Sequence, residues 1–488
     1  MRMYQPICMV LLLALATGAG WAQDNSAASG DAAQAGSAPA PAFGQSGTAT
    51  MDSSENPPVT GLDQPSLEPR GAARSYLIPG LHVSEAADSN VSGGNTGSNF
   101  RSVTSVLGSL TLQKLWPRND VNLDYVGGGT FYSLNGTTAR QVHTLVGEDR
   151  FLWRNGQFAL RDSFNYLPDG SFGYGSYGGA GAVAGIGGGL GGIGSGGIGG
   201  GLGGSQSNFF GPGQFASITN QPRISNVAIA DITQLLNPRS SVTATGSYGL
   251  IHFVNNPVGY INSRQVALQG GYSYQISRSD QIGVLYGYQQ FKYPNVLSGN
   301  VSTNLVNAIY SHRISGRMDM SLGGGPQFTK INSPLFGNNT RVSASGRASL
   351  RYRFPRTSLG LYYDHYNSSG SGFFVGAKTD VARLTATRPI SKNWVGTGDF
   401  GYTRSSRLVP LVVQLSVVNN ASTYGYYYAG VSLHRQLGRD FSLFGSYQFN
   451  NVHFDRTFCG TAASCANSFS RNVAVIGLDW HPHPIRLD

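Results

Sequence analysis

The chain has 488 residues, with 68 Gly, 25 Tyr, 24 Phe, only 12% charged residues and a net charge of +10. Soluble domains usually carry about 25% charge, yet the mean hydropathy is only -0.16, as expected where small polar residues alternate with apolar ones. After the N-terminus no apolar run reaches the ~18 residues of a membrane helix, so a bilayer could be crossed only by closed sheet; the basic residues are spread over turns and strands, which argues against a nucleic-acid-binding patch.

Residues 1–22 read as an export signal. Arg2 supplies the positive start, Ile7 to Ala16 the apolar stretch, and Gly20-Trp21-Ala22 a small-x-small cleavage site. Cys8 lies at the front of the apolar stretch, away from that site, so it does not read as a lipid anchor. Residues 23–75 are Ala, Gly, Ser, Gln and Pro with few aromatics. Such a segment cannot bury enough apolar area to offset chain entropy, and it reads as a disordered periplasmic segment.

From residue 76 onward strand-length amphipathic stretches follow one another. Candidate strands fall at 76–87, 101–115, 120–133, 139–153, 157–167, 223–236, 240–254, 262–276 and 280–293. They continue at 301–314, 317–331, 340–354, 357–368, 375–389, 393–407, 422–437, 440–454 and 469–480. The period is clean after Arg264: Val266, Leu268, Tyr272 and Tyr274 share one face, and Gln265, Ala267, Gln269 and Ser273 the other. These stretches exceed the usual soluble strand of about 5–6 residues. Short basic turns recur between them. Arg118, Arg154, Arg239, Arg278, Arg317, Arg356, Lys392 and Arg439 lie 36, 85, 39, 39, 39, 36 and 47 residues apart. This is the spacing of hairpins with a tight turn at one rim and a longer loop at the other. Trp116, Phe354, Trp394, Phe441 and Trp480 lie by the tight turns, and Tyr132, Tyr166, Tyr293 and Tyr366 by the long loops. Two such groups predict aromatic belts at bilayer interfaces.

Three stretches stand out from the hairpins. The 85-residue interval holds a glycine-rich outer loop, 168–222, with no charge between Asp169 and Arg223. It reads either as a surface loop or as a segment folded into the channel; no Gly-Lys-Ser/Thr follows, so it is not a phosphate cradle. On the strand from Thr340, Arg341, Ser343, Ser345, Arg347, Ser349, Arg351 and Arg353 share one face. An Arg on the lipid face of a barrel costs about 2–4 kcal/mol at the midplane, so this row must face the lumen. There it either pairs with carboxylates such as Asp319, Asp364 and Asp399, or leaves a wall that favours anions. Leu408 to Val418 is an apolar run in an outer loop with no specific reading beyond a buried loop hairpin.

Cys459 and Cys465 share one loop. In an exported chain a small loop disulfide is expected, and no His or carboxylate cluster accompanies them to suggest a metal. Nine His are scattered, and no nucleophile–base set or paired-carboxylate spacing points to catalysis or a cofactor.

Tyr274-Gln-Ile-Ser-Arg-Ser-Asp-Gln-Ile-Gly-Val284 and Arg435-Gln-Leu-Gly-Arg-Asp-Phe-Ser-Leu-Phe-Gly-Ser-Tyr447 resemble hairpins of the loosely defined porin-like outer-membrane barrels of Gram-negative bacteria. The last strand, Val473 to Trp480, is similar to the signal that the barrel-assembly machinery reads, although His481 to Asp488 follow where that family usually ends on an aromatic. The resemblance implies an all-β, up-and-down antiparallel transmembrane barrel of 16–18 strands. It further implies a passive channel for small solutes or ions in the outer membrane, with both termini periplasmic, contacts to lipid and lipopolysaccharide, and a homo-oligomer left open. A plugged barrel serving as adhesin, scaffold or export accessory is the alternative, and a soluble secreted β-protein a third.

Overall fold

The computed structural model describes residues 75–89, 100–133, 137–167, 223–237, 239–254, 261–277, 279–294, 300–315, 317–333, 337–354, 356–368, 370, 374–391, 393–409, 421–438, 440–458 and 466–487. The wall strands begin with β1 (Tyr76–Asp88), β2 (Arg101–Leu115), β3 (Asn119–Ser133), β4 (Thr137–Trp153), β5 (Gly156–Leu167), β6 (Arg223–Asn237), β7 (Ser240–Phe253), β8 (Ser263–Gln275) and β9 (Asp280–Lys292). They continue with β10 (Asn300–Ser315), β11 (Met318–Ser333), β12 (Gly337–Arg353), β13 (Ser358–Ser368), β14 (Ala377–Pro389), β15 (Trp394–Arg407), β16 (Thr423–Leu437), β17 (Phe441–Phe458) and β18 (Ala466–Trp480). A two-residue β19 (Ile485–Arg486) follows.

Each wall strand pairs antiparallel with its chain neighbours, and β1 also pairs with β18 from Leu81↔Trp480 to Asp88↔Val473. The sheet therefore closes into an 18-strand barrel. The sequence reading allowed 16 to 18 strands, and its weakest strand, the first, is the one that shuts the ring. β19 lies outside that reading: it pairs Ile485 with Leu77 and Arg486 with Tyr76, folding the residues after Trp480 back onto the start of β1.

Side-chain polarity is inverted relative to a soluble domain. On β8 the outward Leu268 is 55% exposed, while the inward Gln265 and Gln269 are only 2% and 8% exposed. The same holds on β9, where Val284 and Tyr286 are exposed and Gln281 and Gln289 buried. Hydroxyls bridge the inner faces of neighbouring strands: Ser241 with Ser273 at 2.9 Å, Thr303 with Thr329 at 3.1 Å and Thr379 with Ser405 at 3.1 Å. Such cross-strand pairs fix register and satisfy polar groups that water would otherwise solvate. Pro326 interrupts one ladder. It has no N–H to offer β10, and the β10–β11 register skips Val306 and Asn307 at that level.

The aromatic belts differ in part from the sequence reading. At the tight-turn rim Trp116, Phe354, Phe441 and Trp480 are exposed outward. At the long-loop rim Tyr132 and Tyr293 instead point inward and are buried, 2% and 4% exposed. Tyr132 carries the Arg140 guanidinium 5.3 Å above its ring. Residue period gives a side chain's parity but not which parity faces inward, so belt and lumen aromatics look alike in sequence.

Candidate functional site on the inner wall

The arginine strand of the sequence reading is β12. Its outward parity holds Val342, which is 68% exposed, and its inward parity holds Ser345, which is 7% exposed. The Ser345 hydroxyl donates to Asn307 Oδ1 and to the Gly325 carbonyl at 3.1 Å, which ties β12 to β10 and β11 across the inner face. Arg347 Nε lies 3.4 Å from Asp364 Oδ1, its register partner on β13. Arg341, near the long-loop rim, is exposed. Asp319 faces Arg351 in register but its carboxylate contacts Arg313 Nε of β10 at 3.5 Å. Asp399 sits on β15, beyond β13 and β14 from the arginine strand. The side chains of Arg351, Arg353 and Asp399 lie outside the described residues, as do Cys459, Cys465 and the 168–222 loop.

A second charged group was not singled out in the sequence. On β4, β5 and β6, Arg150 Nη2 meets Glu148 Oε1 at 2.6 Å, and Arg161 Nε approaches the same oxygen at 3.5 Å. Arg161 Nη1 also bonds Asp231 Oδ1. The sequence signal is Glu148-x-Arg150, one inward face, followed by Arg161 and Asp231 at matching depth on the next two strands. At the closure between β1 and β18, Arg471 grips Asp88 through Nε at 2.9 and 3.0 Å and through Nη2, both side chains being almost fully buried. His82 Nδ1 bonds Asp479, and the His82 ring stacks on Phe444 at 5.1 Å. Charges buried this way persist because each has a partner.

The long-loop mouth is apolar inside. Ile261, Phe291, Tyr293, Val301, Ile331, Val375, Leu408 and Val409 form one buried cluster. Val375 belongs to the short segment 374–376 before β14, which is buried against the inner face. Phe374 N–H donates to the Gly370 carbonyl at 3.0 Å, and the Leu408 N–H donates to the Gly376 carbonyl at 3.0 Å. Gly370 and Gly376 hold φ of 87° and 70°, the left-handed region that glycine adopts without steric cost. A Cβ at Gly376 would lie 3.3 Å from both Leu408 and Val301, so the backbone threads between them. Phe374 also packs at a tilt against Tyr424, and Tyr424 against Phe454, with ring centroids 5.5 and 5.8 Å apart. Thus Leu408 and Val409, the start of the unassigned apolar run, pack inside the mouth; 410–418 lie outside the described residues. Burial of Tyr293 pushes its phenol pKa well above the usual value. Among the described residues no group of three or more His, Cys, Asp or Glu is placed to hold a metal ion.

No known protein family profile matches the chain, and no curated protein matches it. Among solved structures, the outer membrane protein opdK from Pseudomonas aeruginosa shares 10% identity at a TM-score of 0.40, over 84% of this chain and 99% of that one. OccK2 (OpdF) of the same organism shares 10% at a TM-score of 0.39, over 83% and 98%. The FrpB iron transporter from Neisseria meningitidis shares 7% at 0.39, over 84% and 83%.

Proposed function

We propose that the chain is an outer-membrane channel for passive diffusion of small solutes or ions. The observation that carries this reading is the inside-out polarity of a closed barrel: exposed Leu, Val, Ile and Tyr outside, buried Gln, Ser, Thr and paired charges inside. In water such an outer face would aggregate, whereas in a bilayer it is matched to hydrocarbon. Eighteen strands leave room for an aqueous lumen. In this reading the tight-turn rim and both termini face the periplasm, the outer face meets lipid and lipopolysaccharide, and β18 is presented to the assembly machinery. Selection rests on width and on lumen charge. Arg341 is available to attract anions, while Arg347, Arg313, Arg150 and Arg161 are offset by acids, so the anion preference is mild.

The test is conductance of the purified mature chain in a planar bilayer under a KCl gradient. Stepwise channels with a reversal potential on the chloride side are expected. Cation preference removes the anion reading. The segment Phe374–Gly376, buried against the inner face, favours a second reading, a barrel shut at its mouth. It predicts silence from the native chain and conductance once Phe374, Val375 and Leu408 are replaced by Ser.

A further inference from the structure

Barrel walls tolerate no open edge where they touch hydrocarbon, because backbone N–H and C=O groups find no partner there. One stretch of this wall breaks that rule. β11 and β12 stay paired to the top of their hairpin, Ser333↔Gly337, and β13 and β14 stay paired to Ser368↔Ala377. Between them the β12–β13 register stops at Gly346↔His365. Among the described residues, 337–345 of β12 have no strand on that side. The end of β13 parts from β12 while staying paired with β14, and Asn367 Nδ2 donates to Thr329 Oγ1 of β11 at 2.6 Å, reaching past β12 on the inner face.

The gap has a defined depth and lining. Val342 is the most exposed large apolar side chain among the described residues. Val342 is in register with Phe328, which also faces outward, and Lys330 is in register with Thr340 one step nearer the rim. Val342 and Ala344 therefore lie on the hydrocarbon side of the Lys330 charge. Behind this edge, inside the barrel, Ile331 is in register with Asn339 and belongs to the apolar mouth cluster with Val301 and Phe291. Val342 and Ala344 are exposed outside the break, whereas Ile331, Val301 and Phe291 inside are only 5%, 0% and 0% exposed. Polar groups flank the break. Arg341 is exposed with no acid paired to it among the described residues. On the β13–β14 side, the Tyr363 hydroxyl donates to Asp380 Oδ1 at 2.9 Å, and His365 Nδ1 bonds the same oxygen.

We propose that the β12–β13 break is a lateral portal that takes an amphipathic small molecule with an anionic head and an apolar tail. The tail lies along Val342 and Ala344, the head is held by Arg341, and the exposed edge of β12 is wetted or bonded by that head. This rests on the barrel spanning a membrane, and it adds a substrate class and a route that a water-filled lumen alone does not supply.

The test uses the full mature chain in nanodiscs, with dansyl-labelled undecanoic acid as probe. Saturable, blue-shifted dansyl emission is expected. Arg341→Ala should weaken it about tenfold, as loss of one charge-assisted contact does, and Ala344→Trp, which fills the break from outside, should slow binding by a similar factor. KCl conductance of Ala344→Trp should match the native chain. A Val342→Trp variant should be quenched by acyl-brominated lipid, and heat-modifiable migration checks that each variant folds. Absence of saturable emission, equal binding in all variants, or no quenching at position 342 overturns the portal. A silent native channel that still binds the probe counts against free diffusion and leaves the portal standing.

Discussion

The two junctions β1–β18 and β12–β13 each stop short of full strand length, and they treat the remainder in opposite ways. At β1–β18 the ladder covers Leu81 to Asp88 and ends toward the tight-turn rim, where β19 takes over against Tyr76 and Leu77. Its inner face is clamped by Arg471–Asp88 and His82–Asp479. At β12–β13 the ladder covers Gly346 to Arg353 and ends toward the long-loop rim. Among the described residues no short strand caps the remainder there, and the Arg347 and Asp364 side chains are 28% and 17% exposed. At β1–β18 the shortened ladder is reinforced both by buried charge and by the short added strand β19, and at β12–β13 the described residues supply neither.

That contrast can be broken in graded steps. Arg471→Met alone strands the Asp88 carboxylate in the wall, and unfolding free energy should fall by about 3–5 kcal/mol. The double variant with Asp88→Leu should regain most of it, as read by urea unfolding in lipid. His82→Ala leaves Asp479 with the weaker 3.3 Å contact from the Ser442 hydroxyl; a loss of about 1–3 kcal/mol is expected in the same titration. Removing His481 to Asp488 deletes the β19 pairing and should cost about 1 kcal/mol, seen as a lower temperature for loss of heat-modifiable migration. The smallest effect needs no substitution. Amides of Arg341 to Ala344 should exchange with deuterium severalfold faster than those of Val473 to Ile476, since local opening there breaks fewer bonds. Equal rates would erase the distinction between the junctions.

Much of the wall was legible because alternation over twelve or more residues leaves few other folds. Gln265, Gln269, Leu268 and Tyr272 separate onto two faces by counting alone. β19 was not legible, since two residues have no period and their pairing comes from where β1 happens to start. The Arg471–Asp88 pair was hidden because its members are 383 positions apart, and no local pattern links them. The β12–β13 break was hidden for a different reason. Residues 340–345 alternate whether or not a neighbour lies beside them, so the sequence shows a strand and not its missing partner. The Arg347–Asp364 contact was within reach because the two strands are consecutive and register follows from the short turn between them.

His82 and Asp479 stand 397 positions apart in the chain and touch in the finished molecule. Hairpins can zip one after another as they emerge, but this contact waits for the last residues to arrive. Until then the growing sheet carries two long sticky borders, each able to recruit another copy. The rate of maturation should therefore be set by how quickly β1 and β18 meet.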